Sequence, residues 1–132
     1  MPRRPNFLVI VADQLRADDL PIYRKDAPTR VPHLERLARC GVAFTEAFGQ
    51  HSVCSPSRVS FLSGLYPHVH GHRTLEHLLA PQAPNFLKLF RHSGYHVAMA
   101  GVRGDTFAQG ATELSAHQYG FLPGEERRLF SD

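Results

Sequence analysis

Residues 6–12 read NFLVIVA, a continuous apolar run between Pro5 and Asp13 that decides which fold class the sequence favours. A run of β-branched and aliphatic residues without polar alternation is typical of a strand buried on both faces, as in a parallel sheet. We therefore expect a buried strand at residues 6–12, with functional groups gathering beyond its carboxyl end.

Helical and strand patterns alternate along the rest of the chain. Three segments begin with a proline and stop at a glycine, which predicts helices within residues 31–41, 56–64 and 84–94. Residues 42–48 and 95–101 are predicted to be further strands. This order predicts an α/β fold with a largely parallel sheet flanked by helices.

Composition and charge limit the function classes that fit. The chain has 132 residues, 42% of them hydrophobic, and a formal charge of +3, which is typical of one globular domain. Basic residues are scattered, so we expect no nucleic-acid partner. The apolar run after Asn6 is too short for a signal peptide or a membrane span. Two cysteines make no disulfide framework, and we expect a cytoplasmic protein with no membrane attachment.

Two oxygen-bearing side chains, Asp13 and Gln14, directly follow the first predicted strand. Carboxylate and amide oxygens are the hard ligands that Ca²⁺, Mg²⁺ and Mn²⁺ accept. Asp13 is also suited to cap the turn that follows it. Position alone leaves the metal-ligand and capping interpretations open.

Cys54 precedes the helix predicted from Pro56, and Arg58 lies on the first turn of that helix. Backbone N–H groups and the helix dipole favour a thiolate or another anion there, and Arg58 suits bidentate contact with an oxyanion. A thiolate nucleophile, a buried inert cysteine and a cysteine that is chemically converted all remain open.

Histidines and one arginine form the remaining candidates. His68, His70 and His72 alternate in a segment that Pro67 and Gly71 predict to be a loop, where metal binding, proton transfer and plain solvation compete. After the third predicted strand, Arg103 is either a clamp for an anionic substrate or part of a solvated turn. Residues 104–132 show no clear periodicity.

Four segments in this order resemble the N-terminal part of the type I sulfatases of the alkaline phosphatase-like superfamily. They are PNFLVIVADQLR (5–16), VPHLERLARCGVAFTEAF (31–48), CSPSRVSFLSGLYPHVHG (54–71) and GYHVAMAG (94–101). The most specific element is Cys-Ser-Pro-Ser-Arg at residues 54–58. The resemblance, from about Pro5 to Gly101, implies that residues 1–132 are the N-terminal part of an α/β, alkaline phosphatase-like catalytic domain, incomplete in this chain.

The resemblance also implies a reaction. In that family a formylglycine-generating enzyme oxidises the cysteine of Cys-x-Pro-x-Arg to an aldehyde, so Cys54 would become formylglycine and its hydrate would attack a sulfate ester. By position, Asp13, Gln14 and the modified Cys54 would hold a divalent ion, with Ca²⁺ first and Mn²⁺ or Mg²⁺ as alternatives. Arg58 would stabilise the formylglycine. The implied activity is sulfuric ester hydrolysis.

Two departures from the family pattern affect the substrate. Gln14 stands where a second Asp is commoner, and Ala-Asp-Gln also occurs in relatives that hydrolyse phosphonate monoesters and phosphodiesters, which are the alternative substrates. The common Gly-Lys-Trp-His is replaced by GVRGD at residues 101–105. Arg103 is therefore an offset candidate for substrate binding, with His70 and His72 as further candidates.

The length of the chain sets a last expectation. The family's second metal-ligand pair lies well downstream, and we find no equivalent after Gly104. We expect the 132 residues to be an N-terminal piece that binds metal poorly and turns over little or no substrate. A non-catalytic sulfatase-like fragment is the other alternative.

Overall fold

The structure, a computed structural model, describes residues 4–101 and 106–121, with the backbone alone at residue 121. The chain divides into two compact units, Met1–Ala47 and Phe48–Asp132. Within the described residues, every helix is too short or too polar to pass through a lipid bilayer.

The first unit contains a 3-10 helix at Ala17–Asp19 and helix α1 at Pro32–Cys40. Pro32 takes the first helical position, where a missing N–H has no consequence, and the helix ends before Gly41. The helix predicted within residues 31–41 is thus confirmed. It exposes much of its apolar side, with Leu37 64% exposed.

The strand predicted at residues 6–12 is wrong in this structure. None of these residues belongs to a strand and all are exposed, Leu8 to 86% and Ile10 to 79%. A strand needs a neighbouring strand for its backbone hydrogen bonds, and the described residues of this unit, 4–47, contain no strand that could pair with residues 6–12. The strand predicted at residues 42–48 is wrong as well, since that segment is exposed and pairs with no strand in the described chain.

The second unit combines helices with parallel strands. Strand β1 (Ala98–Gly101) pairs with strand β2 (Gln118–Phe121), with Ala98 opposite Gln118. The helices of this unit are α2 (Cys54–Ser63), α3 (Pro67–His70), α4 (Phe86–His92) and α5 (Ala111–Ser115). Parallel strands accompanied by helices confirm the α/β class for this part of the chain.

A small apolar core anchors α2 in this unit. Val59 of α2 and Ala111 of α5 are buried together with Leu79 and Phe107. The last two residues form a parallel bridge, in which the Leu79 N–H donates to the Thr106 carbonyl at 2.8 Å. Burial of apolar surface stabilises a fold by roughly 25 cal/mol per Å². Because Val59 is buried in this cluster, its side of α2 is held against the core.

Helix α4 is tied to α5 by its capping residue. The Asn85 Oδ1 accepts from the Lys88 N–H at 3.0 Å, which caps the first turn of α4. The Asn85 side-chain amide also donates to Ser115 Oγ at 3.1 Å, and both side chains are buried. One side chain therefore serves two helices.

Candidate functional site

Helix α2 begins at Cys54, two residues before the predicted start at Pro56. Val53 precedes it in an extended conformation, with φ −90° and ψ 141°. Pro56 fits the first turn because N–H groups there have no acceptor within the helix. The first turn closes through the Ser57 N–H, which donates to the Val53 carbonyl at 3.1 Å.

The two residues predicted to act on substrate share a face of α2. Cys54 and Arg58 are four residues apart, which places them one above the other on the helix surface, and both are half-buried. The neighbouring face is packed inside the unit, where Ser55, Pro56 and Val59 are buried. The packed face thus sets the orientation of the face that carries the thiol and the guanidinium.

His72 lies buried against the start of α2. Its side chain is 3% exposed, and its Nε2 lies 2.9 Å from Ser55 Oγ. Gly71, just before it, has a φ of 73°, a left-handed conformation that glycine adopts without steric cost. Burial lowers the pKa of His72, and electrostatic interaction with His77, His70 and His51 lowers it further. Both effects favour the neutral form of His72.

His70 contacts the other end of the same helix. Its Nε2 lies 3.1 Å from Ser63 Oγ, and that hydroxyl donates to the Val59 carbonyl at 2.7 Å. The segment predicted to be a loop contains the one-turn helix α3, which ends at His70. Both histidines that were candidates for substrate binding thus use Nε2 to contact serines of α2.

Sequence reasoning missed His51. Its Nδ1 accepts from the Val53 N–H at 2.9 Å, directly before the helix. An acceptor role at Nδ1 requires the tautomer with the proton on Nε2. No periodicity or motif in the sequence marks this residue, because its role depends on a turn conformation.

The remaining predicted site residues lie elsewhere. Asp13 and Gln14 are adjacent in a turn of the first unit, and both are exposed. Arg103 lies outside the described residues. Within the second unit, the structure brings His70 and His72 to the helix that carries Cys54 and Arg58.

Gln14 has an unusual backbone. Its φ is 58°, in the left-handed region that residues other than Gly, Asn and Asp seldom occupy. Such conformations cost energy and are frequent at functional sites. The strain marks the Asp13-Gln14 turn as a functional candidate.

The donor set at these positions suits a hard divalent ion in kind. The Asp13 carboxylate and the Gln14 amide oxygen both match the preferences of Ca²⁺, Mg²⁺ and Mn²⁺. They supply two donors, whereas calcium takes about six to eight. Within residues 4–101 and 106–121, no group of three or more His, Cys, Asp or Glu side chains is arranged to hold a metal. These residues therefore fit part of a metal shell.

Comparison with known proteins points to one family. The family model described as Sulfatase matches residues 5–126. The mouse (Mus musculus) steryl-sulfatase is 37% identical over 91% of this chain, and the dog (Canis lupus familiaris) arylsulfatase H is 36% identical over 74%. An ulvan-active sulfatase of Formosa agariphila is 35% identical over 76% of the chain. No solved structure gives a significant match.

The matches cover most of this chain but a small part of each relative. The aligned segment is 21% of the mouse steryl-sulfatase and 19% of the dog arylsulfatase H, so the chain spans about a fifth of the length of these curated relatives. The family match extends from Pro5 past the second strand and includes the Cys-Ser-Pro-Ser-Arg segment at the start of α2. It confirms the resemblance drawn from the sequence: the chain belongs to the sulfatase family.

Proposed function

We propose that the protein containing this chain hydrolyses small anionic sulfuric esters, with Cys54 in its formylglycine form as the nucleophile. The observation that carries the proposal is the position of Cys54 at the first residue of α2, with Arg58 one turn later on the same face. Membership of the sulfatase family supports the same reaction class. The proposed fold of the whole domain is alkaline phosphatase-like.

The start of α2 suits an anionic group. The positive end of the helix dipole and the backbone N–H groups of the first turn favour negative charge beside position 54. The guanidinium of Arg58 offers a planar fork of donors that suits an oxyanion. We assign Arg58 to stabilise oxygens that carry negative charge next to the nucleophile.

We propose Asp13 and Gln14 as metal ligands, together with the modified side chain at position 54. Calcium suits these oxygen donors best, with Mn²⁺ and Mg²⁺ as alternatives. A bound divalent ion would polarise the ester oxygens and stabilise the attacking oxygen. The left-handed backbone of Gln14 supports a functional constraint at this turn.

The histidines take a lesser part in this proposal. His70 and His72 were candidates for substrate contact, yet Nε2 of each is engaged with a serine of α2. We therefore propose that both histidines stabilise α2 and do not contact the ester. Arg103 remains a proposed substrate ligand on the strength of its sequence position.

Conversion of Cys54 requires a partner, and we propose a formylglycine-generating enzyme that reads Cys54, Pro56 and Arg58 in an extended chain. Helix α2 covers all three residues, and Pro56 is buried in it. Conversion would therefore precede folding. A chain that has folded first should resist the converting enzyme.

The second candidate is hydrolysis of phosphonate monoesters or phosphodiesters, because Gln14 makes the ligand set less negative than two carboxylates would. The test compares p-nitrophenyl sulfate with a phenylphosphonate monoester and a phosphodiester, using the converted gene product that contains this segment. Faster sulfate hydrolysis supports the proposal, and faster phosphonate or phosphodiester hydrolysis supports the second candidate. A Cys54→Ala protein that keeps its activity would contradict both.

The 132-residue chain alone is expected to hydrolyse aryl sulfates poorly or not at all, because the proposed ligands Asp13, Gln14 and residue 54 are fewer than the roughly six to eight oxygens that a calcium ion takes. Measurable, calcium-dependent turnover by the purified chain, abolished by Cys54→Ala, would overturn that expectation. If the purified chain is inactive, and Cys54 stays unconverted in cells that contain the converting enzyme, the alternative of a non-catalytic sulfatase-like fragment is supported instead.

A further inference from the structure

The residues on either side of Cys54, Val53 and Ser55, are each hydrogen-bonded to a histidine. The Val53 N–H donates to His51 Nδ1 at 2.9 Å, and Ser55 Oγ lies 2.9 Å from His72 Nε2. These two hydrogen bonds act on the residues immediately before and after position 54. One imidazole comes from the segment leading into α2, and the other from the segment after α3.

The two bonds lie where helix α2 begins without a side-chain cap. Val53 carries no side chain that caps the helix, and Pro56 has no N–H to donate. The backbone bond that closes the turn joins Ser57 to Val53 at 3.1 Å. Helix ends fray more readily than helix interiors, so bonds to the residues on either side of Cys54 bear on its position.

We propose that His51 and His72 are positioning residues that fix Cys54 at the start of α2. His72 acts through the hydroxyl of Ser55 from a buried place, and His51 acts through the amide of Val53. The inference rests on the proposed function for its meaning in catalysis. Its test measures the geometry at position 54 and needs no turnover.

Because both partners are buried, the Ser55–His72 hydrogen bond should fix the start of α2 more strongly than the Val53–His51 hydrogen bond does. Ser55 is 0% exposed and His72 is 3% exposed, so water does not readily replace either partner. An unpartnered polar group left in such a place costs more than the net value of the bond. Gly71 supplies the left-handed turn directly before His72.

The chain contains a matched control at the far end of the same helix. His70 Nε2 lies 3.1 Å from Ser63 Oγ, a contact of the same chemistry as that between His72 and Ser55. Ser63 is the last residue of α2, nine positions after Cys54. Removing the Ser63 hydroxyl should loosen the end of the helix and leave its start in place.

The experiment uses unconverted protein in a Cys40→Ser background, because Cys40 is exposed and would also react. The first readout is the rate at which iodoacetamide alkylates Cys54. The second is amide hydrogen exchange at Ser57, which reports on the first turn, and at Gly64, whose N–H donates to the Ser60 carbonyl at 2.8 Å.

We expect Ser55→Ala and His72→Leu to raise the alkylation rate of Cys54 and the exchange rate of Ser57 by about twofold to tenfold, the range of one hydrogen bond. Ser63→Ala should leave both rates unchanged. His72→Gln should restore much of the wild-type behaviour, since its side-chain amide can either donate to or accept from the Ser55 hydroxyl. Rescue of this kind separates positioning from mere filling of space.

His51 is tested separately by His51→Leu, which should also raise the alkylation rate of Cys54. An unchanged rate would remove His51 from the proposal. If Ser55→Ala leaves alkylation unchanged, or speeds exchange equally at Ser57 and Gly64, the Ser55–His72 pair stabilises the unit without positioning Cys54. Ser55→Ala removes one oxygen atom and keeps the test valid should His72→Leu fail to fold. Neither outcome depends on whether the protein is a sulfatase.

Discussion

Arg58 lies one helical turn after Cys54 and on the same face of α2, beside a face that is packed into the unit. The guanidinium supplies a planar, bidentate donor pair, whereas lysine supplies a single mobile charge. In converted protein, Arg58→Lys should lower kcat for an aryl sulfate by about 100-fold, the scale of losing one preorganised donor to a developing oxyanion.

The conversion of Cys54 has to be measured in that variant, because Arg58 also belongs to the segment that the converting enzyme reads. Rates are therefore divided by the converted fraction from mass spectrometry. Wild-type kcat in Arg58→Lys after this correction would remove Arg58 from the reacting site.

Acid should destabilise the chain through His72. Its pKa is lowered from 6.5 in the folded state, first by burial and then by His77, His70 and His51. The unfolded chain therefore binds more protons at mildly acidic pH, and the free energy of unfolding rises with pH in that range. The contribution of His72 is fully present above about pH 6.5 and is lost as pH falls through the lower folded-state pKa.

Urea unfolding of the wild type and of His72→Gln at several pH values between about 5 and 8 measures this contribution. The wild type should lose more stability than His72→Gln as pH falls, because glutamine does not titrate. Parallel pH profiles for the two proteins would show that His72 does not carry the effect.

Substitution of Gly71 should destabilise the fold because its backbone is left-handed, and not because a larger side chain would clash. Its φ is 73°, and apart from its two chain neighbours no atom of the described residues lies within 4 Å of a Cβ placed there. Gly71→Ala should therefore cost about 1–2 kcal/mol of unfolding free energy from left-handed strain alone. Gly120→Ala is the control, since that position is open by the same measure and Gly120 does not belong to the described glycines with a positive φ. Equal costs for the two substitutions would contradict the strain explanation.

Asn85 should contribute to stability through both of its hydrogen bonds. Asn85→Ala loses the cap on the Lys88 N–H and leaves the buried Ser115 hydroxyl without that donor, so we expect a cost of about 2 kcal/mol. Asn85→Asp retains the acceptor for the cap and should recover about half. Thermal unfolding of the three proteins tests this, and a harmless Asn85→Ala would contradict the role of the cap.

Helices were predictable where their ends are set locally. Pro32 and Gly41 bound α1, and Gly64 ends α2 with a φ of 73°, so residues close in sequence determine both helices. The start of α2 was predicted two residues late because Val53, the residue before the helix, has no side chain that could cap it. Family membership was predictable for a similar reason, since Cys-Ser-Pro-Ser-Arg is a contiguous motif.

Features that depend on distant partners were not predictable. Residues 6–12 have the composition of a buried strand, but composition cannot supply the neighbouring strands that would pair with it. In contrast, β2 and α5 form with four and five residues, too few for a periodic pattern to show. The contact of Ser55 with His72 joins residues 17 apart and leaves no trace in local sequence.

The central claim is that Cys54 is the residue converted to the nucleophile, and fragment-ion mass spectrometry tests it most directly. Trypsin should release residues 40–58 as one peptide, in which Cys40 serves as an internal unmodified control. After co-production with a formylglycine-generating enzyme, fragments containing residue 54 should be about 18 Da lighter than the cysteine form, while Cys40 keeps its mass. An unmodified Cys54 under conditions that convert a known substrate of the enzyme would contradict the account.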